Sequence, residues 1–455
     1  MNLFNIKRLI NPGGAVTFKG GIHPDYMKDI TCNKPIINLP APKTLVFPMQ
    51  QHIGAMATPC VEVGERVLMG QKIAEAGGFV SANIHSSVSG TVVAIEPRMH
   101  PCGAMVPAII IENDMLDEPC GNLHELNPEE LTPEAIVNIV REAGIVGMGG
   151  ATFPTHVKLS PPADKKIEYV IVNGAECEPC LTSDHRAMLE TADEIISGLK
   201  IIMKVFGLST GYIAVETNKA DAIKHLTNKA SMVHDANIKI VRLKTKYPQG
   251  SEKHLIKAVT NREVPPGKLP MDVGVIVDNI DTCAAIGRAV DQRIPLTQRI
   301  VTLGGDCVAT PANLRVRIGT SFDFIFEKCG GFIKDPAKVV MGGPMMGLAV
   351  PDTDIPVIKG TSGILALSRK KARLPQAENC LRCGKCVNAC PMNLLPNMLR
   401  EAVISNNMEK LEKLNINDCL SCGSCTYSCP AEQNPLQYIK TGKIKLNKYL
   451  KEAKN

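Results

Sequence analysis

The 455-residue sequence has no tryptophan, and its aromatic content is seven tyrosines and ten phenylalanines. It also lacks a dense basic run. Lysine plus arginine exceed aspartate plus glutamate only by 51 − 45 = 6, and the tail KIKLNKYLKEAKN has no interleaved aromatic ladder. A nucleic-acid surface needs such features, so no nucleic-acid partner is expected and the tail reads as a solvated end. A long apolar run is missing too. The most hydrophobic helical stretch, ISGLKIIMKVFGL, is broken by Lys200 and Lys204. That is short of the roughly 18 uncharged residues a spanning helix requires, and any membrane attachment must then pass through a partner. The opening MNLFNIKRLINPGGAV has no apolar core followed by a cleavage site and does not read as a secretory signal. In the cytosolic setting this implies, the 17 cysteines are expected as reduced thiols or metal ligands, not as a disulfide framework.

What is present is modular. The length predicts three or four domains. Between Pro59 and Glu96, VEVGERVLMGQKIAEAGGFVSANIHSSVSGTVVAIE reads as short β-runs with glycine corners, similar to the barrel-sandwich fold of biotinyl and lipoyl carriers. Carriers need an acceptor lysine at the hairpin tip, and none follows Lys72 in this segment, so a structural module is expected. From about residue 130 helices and strands alternate. Pro133 opens a stretch with Ile136, Ile139, Val140 and Ala143 on one helical face, ending at Gly144. There follow a strand (EYVIVN), one long helix from about Ser183 to Val205, a strand (GYIAVE), a helix after Asn218, a strand (IKIVRL) and a helix after Gln249. Such alternation predicts a mostly parallel sheet covered on both faces. From 296 to 350 glycine-cornered β-runs return, and a charged linker, SRKKARLPQAENC, leads into a cysteine-rich segment.

Eight cysteines fall into CLRCGKCVNACP (380–391) and CLSCGSCTYSCP (419–430), each spaced C-x2-C-x2-C-x3-C-P. Paired C-x2-C motifs also bind zinc, but a zinc site requires neither the third cysteine nor the C-P, and the whole pattern occurs twice. In two-cluster ferredoxins the fourth cysteine of each run ligates the other cluster. That crossing assigns Cys380, Cys383, Cys386 and Cys429 to one [4Fe–4S] cluster and Cys390, Cys419, Cys422 and Cys425 to a second. The intervening PMNLLPNMLREAVISNNMEKLEKLNIND reads as helical.

Two loops carry further chemistry. GMGGATFPTHVK (147–158) lets a backbone approach a phosphate or flavin closely, a weak signal alone. VNGAECEPC (172–180) looks like a metal knot, yet Cys177 and Cys180 lack the repeated spacing; a metal there would need Cys283 or Cys307 brought close. The first loop resembles the GRGGAGFPTGxKW loop of the flavin-binding 51-kDa subunit of respiratory complex I, and the second its NADExEPG segment. KYPQGSEKHLI (246–256) and VDNIDT (277–282) are similar to that family's xYxxGEExxLI and VNNVET. With GGIHP at 20–24, the barrel-sandwich module and two C-terminal clusters, nearly the whole chain resembles the RnfC family, the C subunits of Rnf complexes. Those complexes are membrane assemblies that exchange electrons between ferredoxin and NAD and couple this to sodium or proton export.

The resemblance implies an NAD(H)-linked oxidoreductase, peripheral on the cytoplasmic face of the membrane, with FMN and two [4Fe–4S] clusters. Its partners would be the membrane and cytoplasmic subunits of the same complex, NADH, and ferredoxin indirectly. The implied fold is multidomain α/β plus β: residues 1–125 with the barrel-sandwich module, 126–290 a Rossmann-like FMN/NADH domain, 291–365 a β-grasp-like domain of the soluble-ligand-binding type, 366–440 an α-helical two-cluster ferredoxin domain, and 441–455 a basic tail. Carried over, Gly147, Gly149, Gly150 and Ala151 surround the FMN with Lys158 near its phosphate, and Asn173, Glu176, Gly250, Asp278, Asn279 and Thr282 line it. Phe153, Glu178 and Glu252 face the dinucleotide, and hydride transfer needs no catalytic side chain of its own. Two departures are Ala175 and Ser251, where the family has carboxylates. Alternatives are a cobalamin reductase of propanediol microcompartments and an iron–sulfur relay subunit without flavin chemistry. His23, His52, His156 and His185 show no paired metal spacing, and GGPMMG (342–347) reads as packing or a turn.

Overall fold

The apolar strands and amphipathic helices between residues 130 and 292 build a four-stranded parallel sheet in the computed structural model, which describes residues 14–121, 130–373 and 375–452. Its strands lie in the order Asn237–Leu243, Thr210–Glu216, Tyr169–Gly174 and Val275–Asn279. Successive strand residues point to opposite faces. Accordingly Val170 and Val172 enter one hydrophobic core and Ile171 another, so both faces are covered.

The helix Pro133–Glu142 begins where Thr132 accepts a hydrogen bond from the Ala135 amide at 3.2 Å. It stops at Gly144, whose φ of 65° is left-handed, and a Cβ there would lie 2.3 Å from the Asn83 carbonyl oxygen. The single long helix expected over 183–205 is two, Ser183–Glu190 and Ala192–Val205. The break falls at Thr191, with φ −128°, whose hydroxyl donates back to the Ala187 carbonyl at 2.9 Å; β-branched residues that bond their own backbone tolerate helix interiors poorly. Helix Ala192–Val205 packs on helix Ile280–Gln292 through Gly198, where a Cβ would fall 1.8 Å from the Cys283 carbonyl oxygen.

The barrel-sandwich module is two small antiparallel sheets. One has the order Thr44–Pro48, Met105–Asn113, Gly90–Met99, Arg66–Val67, the other Thr58–Pro59, Lys72–Glu75, Ile84–His85. A six-stranded mixed sheet follows, ordered Ile36–Asn38, Ala312–Arg317, Gln298–Gly304, Gly363–Leu367, Lys338–Met341, Leu348–Ala349. Its outer strand comes from early in the chain: Ile36–Asn38 pairs in parallel with Asn313–Arg315, and bridges join Val16 to Leu243 and Ile22 to Tyr247, so residues 16–38 also contact the two following domains. Strand Gly363–Leu367 likewise straddles the expected limit at 365. Pairing between segments so far apart leaves no local pattern to read.

Helices Pro396–Ile404, Met408–Lys413 and Pro435–Glu452 enclose the C-terminal core around Leu399, Leu411, Ile439 and Leu446. The expected solvated tail is instead the second half of the last helix. Ile439 and Leu446, seven residues apart, share its buried face; Lys443 reaches back to the carbonyls of Asn417 and Cys419, while Lys445, Lys448 and Lys451 are exposed. The expected division at 125/126, the opening residues MNLFNIKRLINPG and residues 453–455 of the tail lie outside the described residues. Among the described residues no helix is long and apolar enough to cross a membrane.

Gly198→Ala is expected to push the two helices apart and cost about 1–3 kcal/mol, as overpacked core substitutions do, read as a lower urea midpoint at unchanged slope.

Candidate functional site

The loops at the carboxyl ends of the parallel strands converge, the usual ligand position in such sheets. In the loop after strand Tyr169–Gly174, Glu176 and Cys180 adopt left-handed φ values of 44° and 66°. Each costs on the order of 1 kcal/mol for a residue with a side chain. A buried ammonium offsets this. Lys28 donates hydrogen bonds to the carbonyl oxygens of Glu176 and Glu178, both at 2.9 Å, and of Leu181, with the Glu176 carboxylate 3.8 Å away. Burial lowers the Lys28 pKa, and Glu176 works against that fall. From beneath, Lys219 donates to the Ala175 carbonyl at 2.7 Å and pairs with Glu216 at 3.6 Å. The Gly250 amide donates to the Cys177 sulfur at 3.2 Å, and Asn173 donates to the Gly250 carbonyl at 2.8 Å. The acidic loop is thus a braced wall in which Cys177 is a packing and acceptor group.

The glycine loop is fixed from behind. The Met148 amide donates to the Thr282 hydroxyl at 2.9 Å, and Arg299, buried on the six-stranded sheet, donates to the Met148 carbonyl at 3.3 Å while ion-pairing with Asp281. A Cβ on Gly149 would lie 2.9 Å from Asn279, whereas one on Gly150 would meet nothing within 4 Å. Asn279 caps its helix by accepting from the Asp281 amide at 2.9 Å and donates to Asp184 at 2.8 Å; the Asp184 amide in turn donates to Glu176 at 2.7 Å. Burial, then Glu176 and Asp281, raises the Asp184 pKa to about 7.

Lys158 closes the ring. It donates to the Val277 carbonyl at 2.6 Å and ion-pairs with Asp278 at 3.4 Å and Glu252 at 3.7 Å. Burial opposes its charge, but the two carboxylates outweigh burial and raise its pKa. Asp278 is fully buried, and among the described residues its oxygens have no hydrogen-bond donor beyond the Lys158 ion pair; one oxygen of Glu176 likewise has only the Lys28 ion pair. Contacts thus link Gly149 through Asn279 and Asp184 to Glu176, Asn173 to Gly250, and Lys158 to Asp278 and Glu252. The Phe153 carbonyl accepts from the Gly147 amide at 2.8 Å.

Two of the expected residues are engaged by protein groups. Thr282 is buried, and its hydroxyl accepts from the Met148 amide, so it supports the glycine loop. Glu178, implied by resemblance to face a dinucleotide, is turned under the GGPMMG loop, where one oxygen accepts from the Met345 amide at 3.0 Å. A Cβ on Gly343 would lie 2.2 Å from that oxygen. The left-handed turn at Glu176 and the Lys28 clamp on the Glu178 carbonyl rotate the side chain inward. Burial raises its pKa to about 7 against the opposing Met345 and Met346 amides.

Four of the cysteines of the two runs lie together. Cys390, Cys419, Cys422 and Cys425 line one cavity with Leu394, Leu436 and Ile439. Burial, then the neighbouring thiols, pushes Cys425 up to about 12; such thiols ionise when a metal supplies the compensating charge. Cys386 lies within electrostatic reach of Cys429, while Cys380 and Cys383 are exposed. The Tyr247 hydroxyl donates to the Cys422 carbonyl at 2.7 Å, entirely buried. Among the described residues no three Cys, His, Asp or Glu side chains converge on a single metal position. Cys283 packs against Ile195 and Cys307 lies in the core of the six-stranded sheet, away from Cys177. His52, His156 and His185 bond Ala82, Phe79 and Asp221.

Lys28, Asp184, Lys219, Tyr247 and Arg299 went unread as site residues. Lys28 follows GGIHP and Tyr247 sits inside KYPQGSE, so a signal existed for both; nothing local marks Arg299. An open glycine rim, one cation and carboxylate oxygens lacking donors fit a ligand that brings a phosphate together with N–H or O–H groups. Eight thiols in two runs of one repeated spacing fit two cubane clusters.

Residues 140–288 match the Nuo51 FMN-binding domain, 16–116 the RnfC barrel sandwich hybrid domain, 300–349 the SLBB domain and 379–433 the 4Fe-4S dicluster domain. FMN and two [4Fe–4S] clusters are thereby the cofactors of this chain. The chain is 46% identical over 405 residues to the C subunit of the Na(+)-translocating ferredoxin:NAD(+) oxidoreductase complex of Acetobacterium woodii, covering 88% of this chain and 90% of that one. It is 48% identical over 384 residues to the proton-translocating counterpart of Clostridium ljungdahlii, covering 84% and 83%. To the C subunit of the ion-translocating oxidoreductase complex of Rhodobacter capsulatus it is 43% identical over 420 residues, covering 91% and 80%. Among solved structures, an NAD+-reducing [NiFe]-hydrogenase in the air-oxidized state shares the fold with a TM-score of 0.51 at 17% identity, over 70% of this chain and 64% of that one, less than two thirds of its length.

The Glu178 environment has a consequence for stability. Its folded pKa of about 7 lies above the ordinary 4.5. The folded chain therefore retains a proton that the unfolded chain releases, and stability falls as pH rises from about 4.5 to about 7. Glu178→Gln keeps an acceptor for the Met345 amide and removes this loss. Urea denaturation should find the variant more stable than the parent at pH 8 but not at pH 5; parallel pH profiles would show that the carboxylate ionises without penalty.

Proposed function

The chain belongs to the RnfC family, the C subunits of Rnf-type ion-translocating oxidoreductase complexes, and from that premise we propose that it is the oxidoreductase subunit where NAD(H) exchanges electrons with FMN, two [4Fe–4S] clusters carrying them singly to and from partner subunits. The identity to C subunits over more than four fifths of the chain supports this reading over the cobalamin-reductase alternative. Its place would be the cytoplasmic face of the membrane, held there by the other subunits, with ferredoxin connected through them.

FMN supplies a centre that exchanges an electron pair as hydride with nicotinamide and single electrons with metal clusters. The chain's own residues would do the rest. Amides of Gly149, Gly150 and Ala151 with the Lys158 ammonium would take the phosphate, an arrangement in which backbone N–H groups and one cation share the negative charge. Asp278 and Glu176 have buried oxygens without donors, so they suit flavin N–H or ribityl hydroxyl groups. Glu252, with 43% of its side chain exposed at a helix start, can accept from ribose hydroxyls of the dinucleotide, and Phe153 offers a ring at the entrance. Neither departure from the 51-kDa pattern empties the site. Ala175 is buried against Lys219's hydrogen bond, and Ser251 bonds His254 at 3.1 Å.

One observation carries the reading. Tyr247, three residues before Gly250 in the flavin wall, hydrogen-bonds the backbone of Cys422, so the proposed flavin space and one cluster group belong to a single packed unit.

The chain purified anaerobically is expected to hold one FMN and about eight irons, and NADH should bleach the flavin. Full cluster content without bleaching would favour the relay reading. Lys158→Met should weaken FMN retention by about tenfold or more, the scale of one lost charged hydrogen bond, with iron content unchanged; concurrent loss of iron would assign Lys158 a structural role.

A further inference from the structure

Most carboxylates about the proposed flavin site have a cation of their own. Glu176 has Lys28 at 3.8 Å, Asp278 has Lys158 at 3.4 Å, and Asp281 pairs with Arg299. Among the described residues Asp184 has no ion pair. The contacts it does make join the two loops of the site: its carboxylate accepts from the Asn279 side chain at 2.8 Å, and its amide donates to the Glu176 carboxylate at 2.7 Å. Asn279 in turn stands against the glycine loop, where a Cβ on Gly149 would meet it at 2.9 Å. Asp184 is only half-buried, whereas Ser183 and His185 on either side are buried, so a proton can reach it from water.

The fold fixes this position. Helix Ser183–Glu190 starts at a buried knot of polar groups: the Thr182 amide donates to the Thr302 hydroxyl at 3.0 Å, and its hydroxyl donates to Asn313 at 2.9 Å with the Thr31 hydroxyl 2.8 Å away. A carboxylate in a first helical turn is ordinarily favoured as the anion. Here the charged groups facing it are Glu176 from the acidic loop, Asp281 from helix Ile280–Gln292 and Arg299 from the six-stranded sheet, while Asp221 of helix Ala220–Ser231 is engaged by His185. Burial and the two like charges outweigh Arg299, which is committed to Asp281, and the pKa rises to about 7. A further negative charge in the site tips such a group toward its protonated form.

Reduction brings that charge. A hydride carries two electrons and one proton, so it adds one net negative charge, and electrons arriving singly from a cluster add one each. We propose that Asp184 is the charge-compensating proton acceptor of the flavin site: its carboxylate binds one proton from water when an electron pair enters the flavin and returns it to water when the pair leaves. Only this O–H bond forms and breaks at Asp184; nicotinamide and the clusters remain the electron donors and acceptors. The inference rests on the flavin reading above.

The full chain loaded with FMN and iron is poised electrochemically across the flavin couple, without NADH. One extra proton per electron pair changes the equilibrium constant tenfold per pH unit, which is about 30 mV for a two-electron couple. Between about pH 7 and 8 the flavin midpoint of the parent should therefore fall about 30 mV per pH unit more steeply than that of Asp184→Asn, and Asp184→Glu should restore the parental slope. Infrared difference spectra should show a protonated carboxyl band that appears on reduction and shifts when aspartate carboxyls carry a heavy carbon isotope. In Asp184→Glu that band should follow labelled glutamate instead, which identifies the residue even if Asp184→Asn fails to retain FMN. Equal slopes in the parent and Asp184→Asn, or a parental band that follows labelled glutamate, as Glu178 would give, overturn the proposal and leave the flavin reading standing; a chain that takes up no FMN overturns both.

Discussion

A single buried ammonium sets the shape of the acidic loop. Lys28 turns the carbonyls of Glu176, Glu178 and Leu181 onto one point, and the left-handed residues Glu176 and Cys180 persist because those hydrogen bonds, made away from water, are stronger than any the loop could make for itself. With the carbonyls turned inward, one face of the loop is left for Glu176 and the other drives Glu178 beneath the GGPMMG turn. The N-terminal segment is thus part of the site although it lies some 150 residues away in sequence.

Charge compensation then spreads outward. Lys219 with Glu216, Arg299 with Asp281, and Lys158 with Asp278 and Glu252 each bury a cation against a carboxylate. Buried pairs of this kind add little net stability, because desolvation cancels most of their attraction. Their use here is positional. Arg299 belongs to the six-stranded sheet and holds the Met148 carbonyl, so the glycine loop keeps its form only while both domains are docked. The raised acidities of Asp184 and Glu178 fit a site whose carboxylates outnumber the cations nearest them.

The cluster domain is joined to this frame asymmetrically. Tyr247 contacts the second cysteine run at Cys422, while His254 and Gly21 reach only the end of the first at Pro391 and Ala389, which leaves Cys380–Cys383 exposed. Two loops of the same spacing and backbone therefore acquire different surroundings from packing alone.

Local pattern was sufficient for much of this. The cysteine spacing, the helix-strand alternation, the Thr132 to Gly144 helix limits and the glycine corners of the barrel-sandwich module follow from short-range chemistry: metal-ligand reach, periodicity, capping and φ. The glycine loop, the acidic loop, KYPQGSEKHLI and VDNIDT were legible as candidate site loops for the same reason, each being a contiguous motif. Other features were decided only by the tertiary structure: the pairing of Ile36–Asn38 with residues 313–315, the seating of the last helix, the clamp of Lys28, the burial of Glu178 and the exposure of Cys380 over Cys422. Each depends on which distant segment arrives to share or withhold a desolvated contact, and desolvation is a property of the assembled surroundings that no local stretch of sequence carries.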